Sequence, residues 1–224
     1  SAKYGQYVDP IDLAHCYWKL GCREMAVEML SHVSHDYTRH GALIKLWADM
    51  GQVDKALKLA EQKAAAGMPT VAYLAAGDAC RLAGRYEEAL AYYRRSYDGK
   101  DAQGREGDVA KGKERALASI GAIRLFDALD VARVADGTYT ASSIAYAGPL
   151  YVEVTVKDGR IQSVRVTSHE EKQFYSALTD TPNQIIAKQG VKGVDAVTGA
   201  TMTSEAILNA TAKALAEGMK AAGR

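Results

Sequence analysis

The sequence predicts an α+β protein: helical-hairpin repeats over residues 1–130, then a small α+β domain with an antiparallel sheet over residues 131–224. Three observations carry this reading. Apolar residues recur at helical spacing through the first half, punctuated by Gly21, Gly51 and Gly84 at intervals of 30 and 33 residues. The period then drops to two between Leu150 and Val156, the alternation of a half-buried strand. A last helical stretch follows a run rich in hydroxyl residues, Thr198 to Ser204.

In the first half, each glycine follows an apolar helix end and precedes an alanine five residues on: Gly21 and Ala26, Gly51 and Ala56, Gly84 and Ala89. A glycine at that place takes the left-handed conformation that stops a helix without steric cost. The alanine suits a close helix crossing. A period near thirty residues signals stacked helical hairpins. In the third copy, Tyr73, Gly77, Cys80, Gly84, Tyr86, Ala89 and Tyr93 resemble the large and small positions of a tetratricopeptide repeat. The first two copies are degenerate, with Trp18 and Trp47 as the large packing residues of their first helices. Such repeats bury their apolar faces only by stacking, and their concave surface commonly receives another protein.

Asp98 to Lys113 carries four glycines and reads as a surface loop. Glu114 to Leu129 returns to helical spacing and caps the stack or joins the halves. Asp136-Gly137 opens a strand, Thr138 to Ser142. Leu150, Val152, Val154 and Val156 share one face of the next. Asp158-Gly159 is the turn pair of a two-residue hairpin. In the return strand, Ile161 to Thr167, Val164 and Val166 fall out of phase with Ile161, which predicts a bulge or twist. Helices are expected around Glu171–Leu178 and Asn183–Gln189, and from Glu205 to Lys220, whose Ile207, Ala210, Ala214, Leu215 and Gly218 would lie on the sheet.

The 224 residues are 48% hydrophobic and 25% charged, with net charge +1. This balance suits a folded globular chain and lacks the basic footprint of a nucleic-acid binder. No stretch reaches the roughly 18 apolar residues of a membrane helix. The chain starts at Ser1 without a Met, so an export signal or anchor lost upstream is compatible with it. Cys16 and Cys80 fall in helical patterns and read as core residues; a Cys16–Cys22 disulfide requires a turn between them. His15, His32, His35 and His40 include one ligand-like spacing, His32 to His35, but no acid or cysteine cluster completes a set, so no metal is expected.

The chemistry is expected in Asp195-Ala196-Val197-Thr198-Gly199-Ala200-Thr201-Met202-Thr203-Ser204. A flexible turn there brings hydroxyls and backbone N–H groups to the positive end of a helix, which suits a phosphate. Gly199 permits a tight turn and Ala200 leaves the approach uncrowded. Thr201 would stand just ahead of the helix, with Thr198, Thr203 and Ser204 as donors or caps. An ordinary Ser/Thr-capped helix start has the same spacing. Asp195 is a poor phosphate ligand, since like charges repel.

This run resembles the Asp-x-x-(Ser/Thr)-Gly-Ala-Thr motif of the FMN-binding domain family. Asp136-Gly137-Thr138-Tyr139, the hairpin at Asp158-Gly159, His169-Glu170-Glu171-Lys172-Gln173 and Gly193-Val194-Asp195 follow the family order, so the resemblance runs from Val134 to Ala222. It implies FMN as cofactor, carried covalently through a phosphoester to Thr201 that a separate flavin transferase makes. It implies contacts from Asp195, Thr198, Gly199, Ala200, Met202, Thr203 and Ser204, and from His169, Glu171, Lys172 and Gln173 near the ring. Many relatives have Glu-Thr-Pro-Gly where this chain has Glu171-Lys172-Gln173-Phe174, a departure at the ring contacts. His169 is either a cap or a flavin contact, Lys172 a flavin donor or a solvated charge, and Tyr175 a ring partner or core filler.

The family includes the covalent-flavin subunits of sodium-translocating NADH:quinone reductases and of Rnf complexes. The resemblance therefore implies an electron carrier outside the cytoplasm, periplasmic or membrane-anchored, whose helical repeats dock a redox protein. Two rivals stand beside it: a helical scaffold with a passive flavin module, and a flavin-dependent reductase of a small molecule. No acid–base pair suggests the last.

Overall fold

The computed structural model describes residues 9–33, 40–102, 106–172, 175–194, 196–197 and 200–223. Among the described residues seven α-helices come first: α1 (Pro10–Lys19), α2 (Arg23–Ser31), α3 (His40–Asp49), α4 (Val53–Ala65), α5 (Pro69–Leu82), α6 (Tyr86–Asp98) and α7 (Glu106–Phe126). A short 3-10 turn, Val131–Arg133, leads to three strands, β1 (Gly137–Ile144), β2 (Pro149–Lys157) and β3 (Arg160–Ser168), and then to α8 (Ala177–Lys188) and α9 (Thr201–Ala222). The overall class is α+β, with helices followed by an antiparallel sheet.

The repeat punctuation works as local stereochemistry requires. Gly21, Gly51 and Gly84 have φ of 83°, 74° and 72°. Each closes its helix with the same pair of bonds, as where Gly51 N–H reaches the Ala48 carbonyl and Gln52 N–H the Trp47 carbonyl. Ala26, Ala56 and Ala89 are fully buried. In the third copy a Cβ on Gly77 would lie 2.6 Å from two atoms of the Tyr93 ring, so glycine is what lets α5 and α6 close. Trp47 is buried and Trp18 half-buried. The first helices of successive pairs, α3, α5 and α7, pack side by side and form one wall of the stack.

The sheet is a meander in the order β1-β2-β3, antiparallel throughout. Asp158 and Gly159 have φ of 52° and 67°, the positive values a tight hairpin requires. Thr155 pairs with Ser163 but Val156 with Ile161, leaving Gln162 as the expected bulge. The Gln189 side chain brackets this irregularity, accepting from Ile161 N–H at 2.8 Å and donating to its carbonyl at 3.1 Å. Leu150, Val152, Val154 and Val156 are buried against α9. Gly218 lets α9 close on β1 and the residues before it, since a Cβ there would lie 2.5 Å from Val134 Cγ1 and 2.7 Å from Tyr139 Cε2. One apolar core then runs from α5–α7 (Leu74, Tyr93, Ile120, Phe126) through the sheet to Ile207 and Leu215 of α9; a second joins α1 to α5. Full burial of one such aliphatic side chain contributes about 1.5–3 kcal/mol.

Four expectations are corrected. The loop at Asp98–Lys113 is shorter, because α7 already begins at Glu106; Gly112 lies inside the helix, where a Cβ would stand 3.2 Å from Thr70 Cγ2. The two helices expected between Glu171 and Gln189 are one, α8, with Pro182 inside its first turns and Glu171 ahead of it. The last helix starts at Thr201 rather than Glu205. Cys16 is exposed while Cys80 is buried, and all three cysteines are free. Among the described residues no helix is long and apolar enough to cross a membrane.

Candidate functional site

The site is built where α9 begins. Thr201 is the first residue of a 22-residue helix, and Ala200 ahead of it provides no side-chain cap. The leading N–H groups of a helix have no intrahelical acceptors, and the helix dipole is positive there. Thr201 therefore stands in the first turn, not ahead of it. It is also not in an open surface turn: its residue is 4% exposed, and its hydroxyl donates to Asp49 Oδ1 of α3 at 3.3 Å.

The neighbouring hydroxyls have partners within their own domain. Thr203 Oγ1 donates to Glu171 Oε2 at 3.2 Å, and Glu171 Oε1 accepts from Ala147 N–H at 2.9 Å. The buried Glu171 thus staples the β1–β2 loop and the segment after β3 to α9; both its oxygens are engaged within the protein. Ser204 Oγ accepts from Val197 N–H at 3.0 Å and from the Thr181 hydroxyl at 3.1 Å, which ties the approach loop and α8 to the helix. Asp195, Thr198, Gly199 and Gln173 lie outside the described residues.

Two adjoining cavities open around this helix start. The larger, of about 470 Å³, has Thr201 and Met202 on one side and α3, α5 and α7 on the other, with Lys45, Asp49, Asp78, Lys111 and Arg115 among its lining. The smaller, of about 270 Å³, takes Ala200, Met202 and Thr203 against His15, Lys45 and Asp49. Tyr146, in the β1–β2 loop, lines both and is 63% exposed. Lys111 Nζ donates to the Tyr146 carbonyl, bridging α7 to that loop. Thus Ala200, Thr201, Met202 and Thr203 come together at the cavities, and Ser204 and Glu171 lie behind them. His169 and Lys172 line neither: Lys172 is exposed, and His169 meets Tyr175 edge-on at 6.3 Å, with Tyr175 57% exposed rather than in the core.

Beneath the larger cavity is a buried charge cluster. Arg115 Nη2 lies 3.2 Å from Asp78 Oδ2 and 3.6 Å from Glu205 Oε2, and Tyr93 donates to Asp78 Oδ1 at 2.8 Å. Burial, together with the Asp78 carboxylate, pushes the Glu205 carboxyl up to about 8 against the pull of Arg81 and Arg115. Burial lowers the Lys45 ammonium, opposed by Asp49, Asp78 and Glu205. Sequence reasoning missed Lys45, Lys111, Arg115 and Tyr146, because three of them belong to helices far from the motif and no local pattern marks them. Among the described residues no cluster of His, Cys, Asp and Glu could hold a metal ion.

A short antiparallel sheet backed by a long helix, whose uncapped start opens on a cleft with cations and apolar walls, defines a binding module for a small ligand with an anionic group. Residues 145–216 match the FMN-binding domain family, so this part of the chain is an FMN-binding domain and the protein a flavin-binding protein with FMN as cofactor. The lining offers that cofactor a helix start with Lys45 and Lys111 for a phosphate, against the carboxylates of Asp49, Asp78 and Asp108, and Leu74, Ala75 and Leu82 as apolar wall for a ring. The chain is also similar to an uncharacterized protein of Treponema pallidum (strain Nichols), 38% identical over 86 residues, which are 38% of this chain and 24% of that relative. The chain therefore spans about a quarter of that relative's length. No solved structure matches it.

Proposed function

We propose that the protein is an extracytoplasmic electron carrier that bears FMN covalently through a phosphoester to Thr201. The observation that carries this reading is the placement of Thr201, at the first position of α9 inside an FMN-binding domain and at the rim of a cleft. Among the described hydroxyls of its run, it is the one bonded to the helical half rather than to its own domain. A phosphodiester on Thr201 would meet the N–H groups and dipole of α9, a stabilisation of about 0.3–1 kcal/mol at an exposed helix start and more when partly buried. When bound, FMN supplies one- and two-electron transfer, while the protein holds the group and sets its surroundings.

Attachment requires the Thr201 hydroxyl to leave Asp49, since esterification removes its proton. The nearby Lys45 ammonium offsets the approach of a phosphate to the Asp49 carboxylate. Because Thr201 is buried, a flavin transferase reaches it only before the helical half closes on α9, or when the two part locally. The reading requires two protein partners, that transferase and a redox protein, and a location outside the cytoplasm where a tethered cofactor is not lost.

Co-expression with a flavin transferase tests the assignment. Denatured wild-type protein keeps its yellow colour and in-gel flavin fluorescence, and Thr201→Ala loses both while retaining its far-ultraviolet circular dichroism. Covalent flavin on Thr201→Ala would place the attachment elsewhere.

A further inference from the structure

We infer that the inner wall of the helical repeats is the other half of the flavin site: the isoalloxazine of the FMN carried on Thr201 lies in the cleft between α9 and helices α3, α5 and α7, against Tyr146, Lys45 and Lys111. This rests on the proposed attachment and extends it to residues outside the FMN-binding domain.

The first ground is the position of the cleft. Both cavities converge on the start of α9, sharing Lys45, Asp49, Tyr146 and Met202. A group fixed to Thr201 has this space directly before it. The second is size and character. A volume of about 470 Å³ lies in the range of small-molecule sites, which combine apolar walls with a few placed polar groups. Here Leu74, Ala75 and Leu82 of α5 form the apolar wall, and Lys45 and Lys111 provide positive charge in a lining that also holds Asp49, Asp78, Asp108 and the paired Arg115. A cofactor with an apolar ring and an anionic end needs both. The third is Tyr146, a large exposed aromatic at the rim of both cavities. Its loop is held from both sides, by Lys111 at the Tyr146 carbonyl and by Glu171 at Ala147 N–H. A side chain so exposed on an anchored loop is placed to stack on a ring.

The arrangement gives the inner wall of the repeats a specific occupant. The face that a helical repeat commonly offers to a protein is turned here toward the chain's own cofactor, which leaves the outer helices α2, α4 and α6 for other contacts.

Iodide quenching of flavin fluorescence tests the inference on full-length protein loaded by a transferase. Wild-type flavin is expected to be quenched several-fold less than free FMN. Tyr146→Ala, an exposed position that leaves the fold intact, raises quenching toward the free value, and Lys111→Ala does so in part. A second variant, Ala75→Trp, fills the apolar wall and displaces the ring while the covalent flavin remains; its fold is checked by far-ultraviolet circular dichroism. Loaded wild-type flavin quenched as readily as free FMN, with all three variants unchanged, would overturn the inference and leave attachment at Thr201 standing. Protein that takes up no flavin would overturn the attachment reading itself.

Discussion

Replacing Gly77 by alanine tests how tightly the repeat wall of the cleft is built. The added Cβ would lie 2.6 Å from both Cδ1 and Cε1 of Tyr93 and 3.0 Å from its Cγ. The ring cannot swing aside, because Tyr93 is fully buried and its hydroxyl donates to Asp78 Oδ1 at 2.8 Å. Overpacking a fixed core costs about 1–3 kcal/mol. Against this, alanine gains about 1 kcal/mol over glycine in a helix interior. The net expectation is a loss of about 0–2 kcal/mol, or at most roughly 8 °C in Tm for a chain of this size. Gly121→Ala is the control. It lies inside α7 with nothing within 4 Å of its Cβ position, so only the propensity gain remains, and Tm should rise by roughly 2–4 °C. Thermal unfolding followed by circular dichroism at 222 nm reads both. If Gly77→Ala rose in Tm as Gly121→Ala does, the close α5–α6 packing would be refuted, and with it the fixed position of Asp78 in the cleft wall.

Two further outcomes follow from the groups around the site. The folded state keeps Glu205 protonated up to about 8, whereas the unfolded chain ionises it in the ordinary carboxylate range. Between those limits the folded state holds more protons, so stability falls as pH rises through the window and is flat below and above it. Glu205→Gln should remove that slope: in urea titrations it matches the parent near pH 4 and exceeds it at pH 9, and an unchanged pH profile would contradict the burial of a protonated carboxyl there. Glu171→Ala strips the acceptor from Ala147 N–H and the Thr203 hydroxyl, at a cost of about 2–3 kcal/mol. Amide exchange at Ala147 should accelerate in the variant, and no change would show that the staple does not hold the Tyr146 loop.

What is legible in the sequence is local. A helix-ending glycine needs a positive φ at one residue, and Gly21, Gly51 and Gly84 satisfy that without reference to the rest of the chain. The Asp158-Gly159 turn and the bulge at Gln162 follow from the same kind of short-range constraint. Glycines that serve packing read wrongly: Gly112 reads as part of a loop, yet it sits inside α7, where a side chain would press on Thr70. The hydroxyl run before Glu205 reads as a turn, yet Thr203 and Ser204 are helical, their side chains spent on Glu171, Val197 and Thr181. The cleft is not legible at all. Its far wall comes from Lys45, Asp49, Asp78 and Arg115, brought to Thr201 by stacking of the repeats against α9, and tertiary placement of that kind leaves no periodic mark.

Whether FMN sits on Thr201 is decided by the intact mass of protein co-expressed with a flavin transferase and exported, followed by peptide mapping. The expected result is a gain equal to FMN minus water, confined to the peptide containing Thr201, with visible flavin absorbance that survives denaturation. An unmodified mass, with colour lost on denaturation, would contradict covalent attachment and leave an FMN-binding protein that holds its cofactor by contacts alone.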